Sequence, residues 1–133
     1  MAGNGLVTLQ SAHDFDTTLG RLTAALETKG ITIFARIDHA AGAKKVGLEL
    51  RPTMLIVFGN PAAGTPLMQA AQTAGIDLPL KALVWQDADK TVKLSYNDPA
   101  WIAERHALGG KVTEAVATIG AALKTLMAHA TAG

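Results

Sequence analysis

The chain has 133 residues, of which 49% are hydrophobic and 17% charged, with a formal net charge of +1 and no cysteine. A length in this range is typical of one domain with its own buried core. The nearly balanced charge excludes the broad basic surface that binds nucleic acid or an anionic membrane, so neither is expected as a partner. The lack of cysteine excludes disulfides, thiolate catalysis and cysteine-based metal sites.

The low charge also bears on assembly and location. Because soluble domains are usually about 25% charged, we expect apolar surface to be buried against a second subunit, most simply in a homodimer. The N-terminus has no basic or apolar segment of a signal peptide, and no window reaches the roughly twenty apolar residues of a membrane span. The expected compartment is the cytoplasm; an exported protein whose leader had been removed would have the same composition.

The N-terminal part of the chain predicts a strand, a helix and a second strand. After a strand over residues 6–10, apolar residues recur every three or four positions, as one buried helical face requires; they are Phe15, Leu19, Leu22 and Leu26. Asp14 suits the start of this helix and Gly30 its left-handed stop. Residues 31–37 then alternate in polarity, which indicates a half-buried strand. Its apolar face is predicted to hold Ile31, Ile33, Ala35 and Ile37.

Residues 53–58 predict the central strand. Both of its faces are apolar, so each should be covered by helices or by an interface. Before it, Asp38 is placed to cap a short helix over residues 40–48. After it, Gly59-Asn60-Pro61 breaks the strand, and Thr65-Pro66 predicts the cap and first position of a helix over residues 67–74.

The C-terminal half predicts a hairpin followed by two helices. Strands over residues 81–86 and 91–96 flank an aspartate-rich turn, and Asp98-Pro99 starts the next helix. A long helix over residues 111–128 follows, and the tail beyond Ala128 is expected to fray. The whole chain, residues 1–133, therefore predicts a single two-layer α+β domain with a curved, mainly antiparallel sheet of about five strands backed by helices.

Polar residues at strand ends, next to clusters of turn residues, are the candidate ligand-binding residues. They are Asp38, His39, Arg51, Asn60, Thr65 and Tyr96. We expect them to converge within hydrogen-bond reach around a small anionic or apolar ligand. Arg51 would bind a carboxylate or phosphate, or else pair with Asp38 or Glu49. The loop over residues 59–65 has neither the P-loop lysine nor the glycine spacing of a dinucleotide fingerprint, and turn and cap chemistry explains its residues.

Two alternatives to a binding protein stay open. In the first, an enzyme uses His39 or His106 as acid or base, with Arg51 holding an anionic substrate. In the second, the chain is a structural or protein-interaction module whose apolar surface forms the interface. No paired spacing of histidine and carboxylate residues predicts a metal site, so we expect no metal and no other cofactor.

A set of phrases along the chain adds a family resemblance. They are Asp38-His39-Ala40, Phe58-Gly59-Asn60-Pro61, Gly64-Thr65-Pro66-Leu67-Met68, Leu78-Pro79-Leu80 and Ser95-Tyr96-Asn97-Asp98-Pro99. Together and in this order they resemble the domain-of-unknown-function family numbered 302, small bacterial proteins, over residues 6–108. The resemblance implies a curved antiparallel sheet with helices packed on it, in the layout of TATA-binding-protein-like folds, and a homodimer. It implies no established reaction, and DNA binding does not follow from such a layout.

Overall fold

The computed structural model describes residues 3–133 and shows a two-layer α+β domain. Its elements are β1 (Leu6–Gln10), α1 (Phe15–Thr28), β2 (Thr32–Asp38), α2 (His39–Lys45), β3 (Thr53–Gly59), α3 (Pro61–Ala70), β4 (Leu80–Gln86), β5 (Val92–Asn97), α4 (Pro99–Arg105) and α5 (Thr113–Thr131). Short 3-10 turns occupy Gln72–Ile76 and Gly110–Val112. The five strands form one sheet in the order β1-β5-β4-β3-β2, and all neighbours are antiparallel. The predicted fold class is confirmed.

The main core lies between one face of this sheet and the helices α1 and α5. From α1, Leu22 and Leu26 are fully buried, as the helical periodicity predicts. They pack with alternate residues of the strands and with α5, and those partners are Ile56, Phe58, Val84, Leu94, Leu123 and Met127. A second, smaller cluster joins α3, the two 3-10 turns and the start of α5, around Leu67, Ala74, Leu108, Val112 and Val116.

The second strand differs from its predicted pattern. A β-bulge between Ile33 and Ala35 shifts the register, so that Ile33 lies opposite Phe58 whereas Ala35 lies opposite Val57. Neighbouring residues of β3 point to opposite faces of the sheet. The prediction that Ile33, Ala35 and Ile37 share one face is therefore wrong, because the extra residue reverses the alternation.

The helix after the central strand begins earlier than predicted. Asn60 is its N-cap and accepts a hydrogen bond from the Ala62 amide, with Pro61 at the first helical position. Thr65 and Pro66 instead lie inside α3, which ends at Ala70. Two cap-then-proline pairs occur in tandem here, and the first is the one that starts the helix. A proline inside the helix costs one backbone hydrogen bond.

The C-terminal tail is docked rather than frayed. Helix α5 continues to Thr131, where Ala130 is fully buried. Three groups from the N-terminal part hold this end: Arg21 Nη2 donates to the His129 carbonyl at 2.7 Å, the Ala12 amide donates to the Thr131 carbonyl at 2.8 Å, and the His13 ring lies 2.6 Å from the Ala132 carbonyl. These contacts satisfy carbonyls that a free helix end would leave to water.

The opposite face of the sheet carries a second set of apolar side chains, which we call the open face: Ile37, Leu55, Val57, Leu83 and Trp85. The register places them between the residues of the main core along each strand, yet they are in neither buried cluster. Ile37 is 42% exposed. Trp85 Nε1 donates to Ser95 Oγ at 2.9 Å, and the Thr8 hydroxyl lies 2.8 Å from the same oxygen. Within the described residues, α1 and α5 thus cover only the opposite face of the central strand.

Candidate functional site

An apolar cavity of about 450 Å³ lies beside the carboxyl end of β3. Its outer wall is α3 with the segment that leads to β4, and its inner wall is formed by the sheet, α4 and α5. The cavity lies where the two buried clusters meet, since Ile119 packs against both. A volume of this size falls within the usual range of ligand pockets, about 300–1,000 Å³.

Hydrocarbon dominates the cavity lining. The sheet and the residues beside it contribute Ile31, Phe34, Phe58 and Leu80, α3 and its following segment contribute Leu67, Met68 and Leu78, and the last two helices contribute Ile102, Ile119, Ala122, Leu123 and Leu126. Among the described residues that line the cavity, none is charged. Such a lining favours an apolar ligand body through the hydrophobic effect.

The polar side chains of the cavity are Asn60, Thr65 and Thr118, and all three are exposed, which places them at its mouth. The Asn60 Oδ1 atom is used as the cap of α3, where the Ala62 amide donates to it at 2.9 Å. The Thr118 hydroxyl donates to the Glu114 carbonyl at 3.0 Å. Within the described chain the Thr65 hydroxyl has no hydrogen-bond partner, so it is free to meet a ligand.

The first amides of α3 are not free to bind an anion. Those of Ala63 and Gly64 both donate to the Asn60 carbonyl at 2.9 Å, and Pro61 has no N–H. A helix N-terminus attracts anions through unsatisfied amides. The loop therefore uses its polar groups to start the helix, in agreement with the turn-and-cap interpretation of the sequence.

The structure does not bring the six candidate residues together. Asn60 and Thr65 line the apolar cavity, whereas Asp38 and Arg51 line a separate groove between α2 and the segment before β3. Because Asp38 lies opposite Met54 while Gly59 lies opposite Thr32, the two groups stand at opposite ends of β3. The predicted convergence of all six residues in one pocket is not formed. Whether either group binds a ligand stays a prediction.

At the Asp38 end, local hydrogen bonding occupies the polar groups. Asp38 caps α2 by accepting from the Ala41 amide at 2.9 Å. Arg51 Nε donates to the Gln86 carbonyl at 3.2 Å, and among the described residues it forms no ion pair with Asp38 or Glu49. Hydrogen bonds from Lys93 and the Ala88 amide lower the pKa of Asp87, and the charge of Arg51 adds a smaller lowering. His39 is exposed at the start of α2.

Tyr96 belongs to the main core and not to either opening. It lies opposite Ala82 on β4 and Val7 on β1, and only 8% of its surface is exposed. Burial, with a smaller contribution from the Asp98 carboxylate, raises the pKa of its phenol above the ordinary 10.0.

A polar cluster that the sequence patterns did not indicate connects the 3-10 turn after α3 to the end of α4. The Asp77 carboxylate accepts from Arg105 Nη1 at 3.0 Å on both oxygens and from His106 Nε2 at 2.5 Å. The other ring nitrogen of His106 lies 2.9 Å from the Thr73 hydroxyl. This cluster lies outside the cavity, but it fixes the segment whose Leu78 forms part of the cavity wall.

The enzyme alternative that pairs His106 with Arg51 loses its predicted geometry, whereas the one that uses His39 stays a prediction. His106 is bonded to Asp77, which precedes the start of β4, whereas Arg51 is bonded to Gln86 at the end of that strand. A seven-residue strand is roughly 20 Å long at about 3.3 Å per residue. One small substrate cannot touch both side chains.

The sequence alone could not distinguish the apolar residues that line the cavity from those of the packed core. The helical spacing of Ile119, Leu123 and Leu126 predicts burial, and these residues do face inward, but spacing does not say whether a neighbour fills the space in front of them. The single signal at the site was the turn-rich stretch after β3, which supplies Asn60 and Thr65. The cavity itself depends on how far α3 stands from α5.

The fold and cavity define a class: a small antiparallel α+β domain with an apolar cavity between its helices and the end of its sheet. The family description "Domain of unknown function DUF302" matches residues 7–126, and the chain belongs to that family. The match extends through most of α5, beyond the region over which the sequence resemblance was placed. A crystal structure of an uncharacterized conserved DUF302 protein from Bacillus stearothermophilus has the same fold, with a TM-score of 0.84 and 19% identity over 96% of this chain and 99% of that chain.

Longer relatives occur in Brucella. The chain is 52% identical over 106 residues to a protein of Brucella suis biovar 1 named "Fluoride-specific ion channel FluC 1", and the match covers 80% of this chain but 42% of that protein. A protein of the same name from Brucella abortus biovar 1 is 52% identical over 106 residues, 39% of its length. The chain thus spans about two fifths of these relatives. Of its own described helices, none combines the length and apolar character needed to cross a membrane.

Proposed function

We propose that this protein is a small-molecule-binding domain whose ligand occupies the apolar cavity between α3 and α5. The observation that supports it is the cavity itself, about 450 Å³ lined by hydrocarbon at the junction of two buried clusters. An apolar molecule bound there would take the hydrocarbon lining out of contact with water, which favours binding.

Native mass spectrometry of the protein purified from its own host tests this function. We expect the folded protein to carry an additional mass that is released when the protein is unfolded in organic solvent. The spectrum of the Ala122→Phe variant should lack that additional mass, because Ala122 lines the cavity and a phenyl ring there would occupy the ligand's volume. Wild-type protein that carries no additional mass and binds no added apolar probe would contradict the proposal.

We further propose that the domain is a homodimer joined through the open face. The side chains of Leu55, Leu83 and Trp85 form a contiguous apolar surface on paired strands, and face-to-face packing of two sheets would bury both copies. A surface buried between subunits needs no charged residues, so an interface at this position would account for the low charged fraction of the chain. A twofold interface of this kind uses the same patch on each subunit.

Light scattering at micromolar concentration tests the dimer. Wild-type protein should have twice the 13.8 kDa mass of the chain, and Leu55→Lys should reduce it to that of a single chain. Ile76→Lys is the control, because Ile76 is also apolar and 74% exposed but lies outside the sheet. A wild-type monomer, or a dimer unaffected by Leu55→Lys, would contradict an interface at the open face.

A second candidate function comes from the Brucella relatives. Because their matched segment is less than half of each protein, this domain is joined there to further sequence in proteins named as fluoride channels. Joining two modules in one chain keeps them at high effective concentration. We propose that the domain acts together with such a channel as a separate module, and we do not propose that the domain itself conducts fluoride. Loss of the gene should then raise the fluoride sensitivity of its host, and unchanged growth in fluoride would contradict this role.

A further inference from the structure

We infer that the cavity takes an uncharged amphiphile, a molecule with a hydrocarbon body and one hydroxyl or amide head group. This inference rests on the proposed binding function and adds the chemical class of the ligand. In the bound state the hydrocarbon lies against Phe58, Leu67 and Leu126, and the head group lies at the mouth beside Thr65.

The hydrocarbon body follows from the wall. The buried lining residues Phe58, Leu67 and Ile102 are 1%, 2% and 1% exposed, and they offer a ligand no side-chain hydrogen bond. A polar group placed against them would lose its water without compensation, which costs about 1–3 kcal/mol in proteins. An apolar group placed there gains contacts and releases water.

The residues at the mouth of the cavity favour an uncharged head group. Neither a cation nor an anion finds a charged partner there, because the polar lining consists of Asn60, Thr65 and Thr118. The amides that begin α3 are already bonded to Asn60, so the helix does not present a free anion site. What is available is the Thr65 hydroxyl and the Asn60 amide nitrogen, and these suit a neutral oxygen or amide.

The size of the ligand follows from the volume. One water molecule takes up about 30 Å³ in the liquid. If each non-hydrogen atom of the ligand needs a similar volume, a cavity of about 450 Å³ holds roughly fifteen such atoms. A long diacyl lipid is too large to be enclosed, whereas a medium-chain alcohol, amide or small alicyclic alcohol fits.

Competition against a fluorescent apolar probe tests this ligand class. The competitors are straight-chain alcohols from six to fourteen carbons, with carboxylates and alkylammonium ions of the same lengths. We expect the affinity of the alcohols to rise about fourfold per methylene and to stop rising near the length that fills the cavity. At equal length, both charged series should bind at least tenfold more weakly.

The Thr65→Val variant tests the head-group position. Thr65 is exposed and valine has nearly its shape, so folding should be unaffected. Affinity for the alcohols should fall about threefold to tenfold relative to the affinity for the probe, which has no hydroxyl, because the alcohols alone lose a hydrogen bond. An equal loss for both compounds would overturn the placement of the head group at Thr65.

The failure of this inference can be told apart from the failure of the proposed function. Carboxylates or ammonium ions that bind as tightly as alcohols, at a site blocked by Ala122→Phe, would overturn the uncharged class while leaving a ligand-binding cavity. An absence of binding by the probe and by all three series would overturn both.

Discussion

The Asp77–His106 contact is the most buried one between an acidic and a basic side chain in the described chain: His106 Nε2 lies 2.5 Å from Asp77 Oδ2, and the side chains of His106 and Asp77 are 7% and 13% exposed. Both ring nitrogens are occupied, since Nδ1 faces the Thr73 hydroxyl. A neutral imidazole satisfies this arrangement by donating from Nε2 and accepting at Nδ1. The pair holds the segment after α3 against α4, and with it one wall of the cavity.

We predict that Asp77→Ala lowers the free energy of unfolding by about 2–4 kcal/mol, because it leaves His106 and Arg105 without their acceptor. Urea denaturation followed by circular dichroism measures it. Glu27→Gln is the matched control: the Glu27–Arg36 pair is longer, at 3.5 Å, and exposed, so its loss should cost less than about 0.5 kcal/mol. Similar effects of the two substitutions would show that the Asp77 cluster contributes no more than a surface pair.

Gly5 is predicted to tolerate no side chain. Its φ is +80°, and a Cβ there would lie 2.3 Å from Cγ of Trp101. Gly5→Ala should therefore destabilise the fold by at least about 2 kcal/mol, through left-handed strain and displacement of the indole. The change is measured as a shift in the urea midpoint.

Gly120→Ala provides the comparison for Gly5. Gly120 lies within α5, and a Cβ added there would meet nothing within 4 Å. Alanine should stabilise the helix by about 0.5–1 kcal/mol. Loss of stability from Gly120→Ala would mean that this part of α5 lies against a surface absent from the single chain, such as a partner subunit.

Tyr96→Phe is predicted to reduce the loss of stability at alkaline pH. The folded state raises the pKa of the phenol above 10.0 by burial, so folding holds the proton more tightly than the unfolded chain does. The resulting stabilisation is fully present below pH 10.0 and is lost as the pH rises through the raised pKa. Between pH 8 and pH 11 the unfolding midpoint should therefore fall less in the variant than in the wild type. An equal fall in both proteins would contradict a buried phenol.

Local chemistry made much of the fold predictable. Asp38 and Asp98 each cap the helix that the sequence assigned to them, because capping depends on a few neighbouring residues. The bulge at β2 was not predictable, because register depends on the partner strand. The start of α3 was missed for a different reason: Asn60-Pro61 and Thr65-Pro66 carry the same local signal, and cap-and-proline chemistry alone does not choose between them.

The site was less predictable than the fold. Asn60 and Thr65 were identified from turn chemistry and do line the cavity, but Arg51 and Asp38 were expected beside them and lie at the other end of β3. The seven residues of β3 separate the two groups by roughly 20 Å at about 3.3 Å per residue, a separation that the strand length already implied. The apolar lining has the same periodicity as a filled core, so the cavity required a structure.

The most direct test of ligand binding in the cavity is titration of a fluorescent apolar probe into the wild type and two neighbouring variants. Ala121 and Ala122 are both exposed on α5, but only Ala122 lines the cavity. We predict that Ala122→Phe weakens probe binding at least tenfold, whereas Ala121→Phe leaves it unchanged, with equal thermal stability of both variants. Equal affinity in all three proteins would show that the probe binds elsewhere and would contradict the cavity as the site.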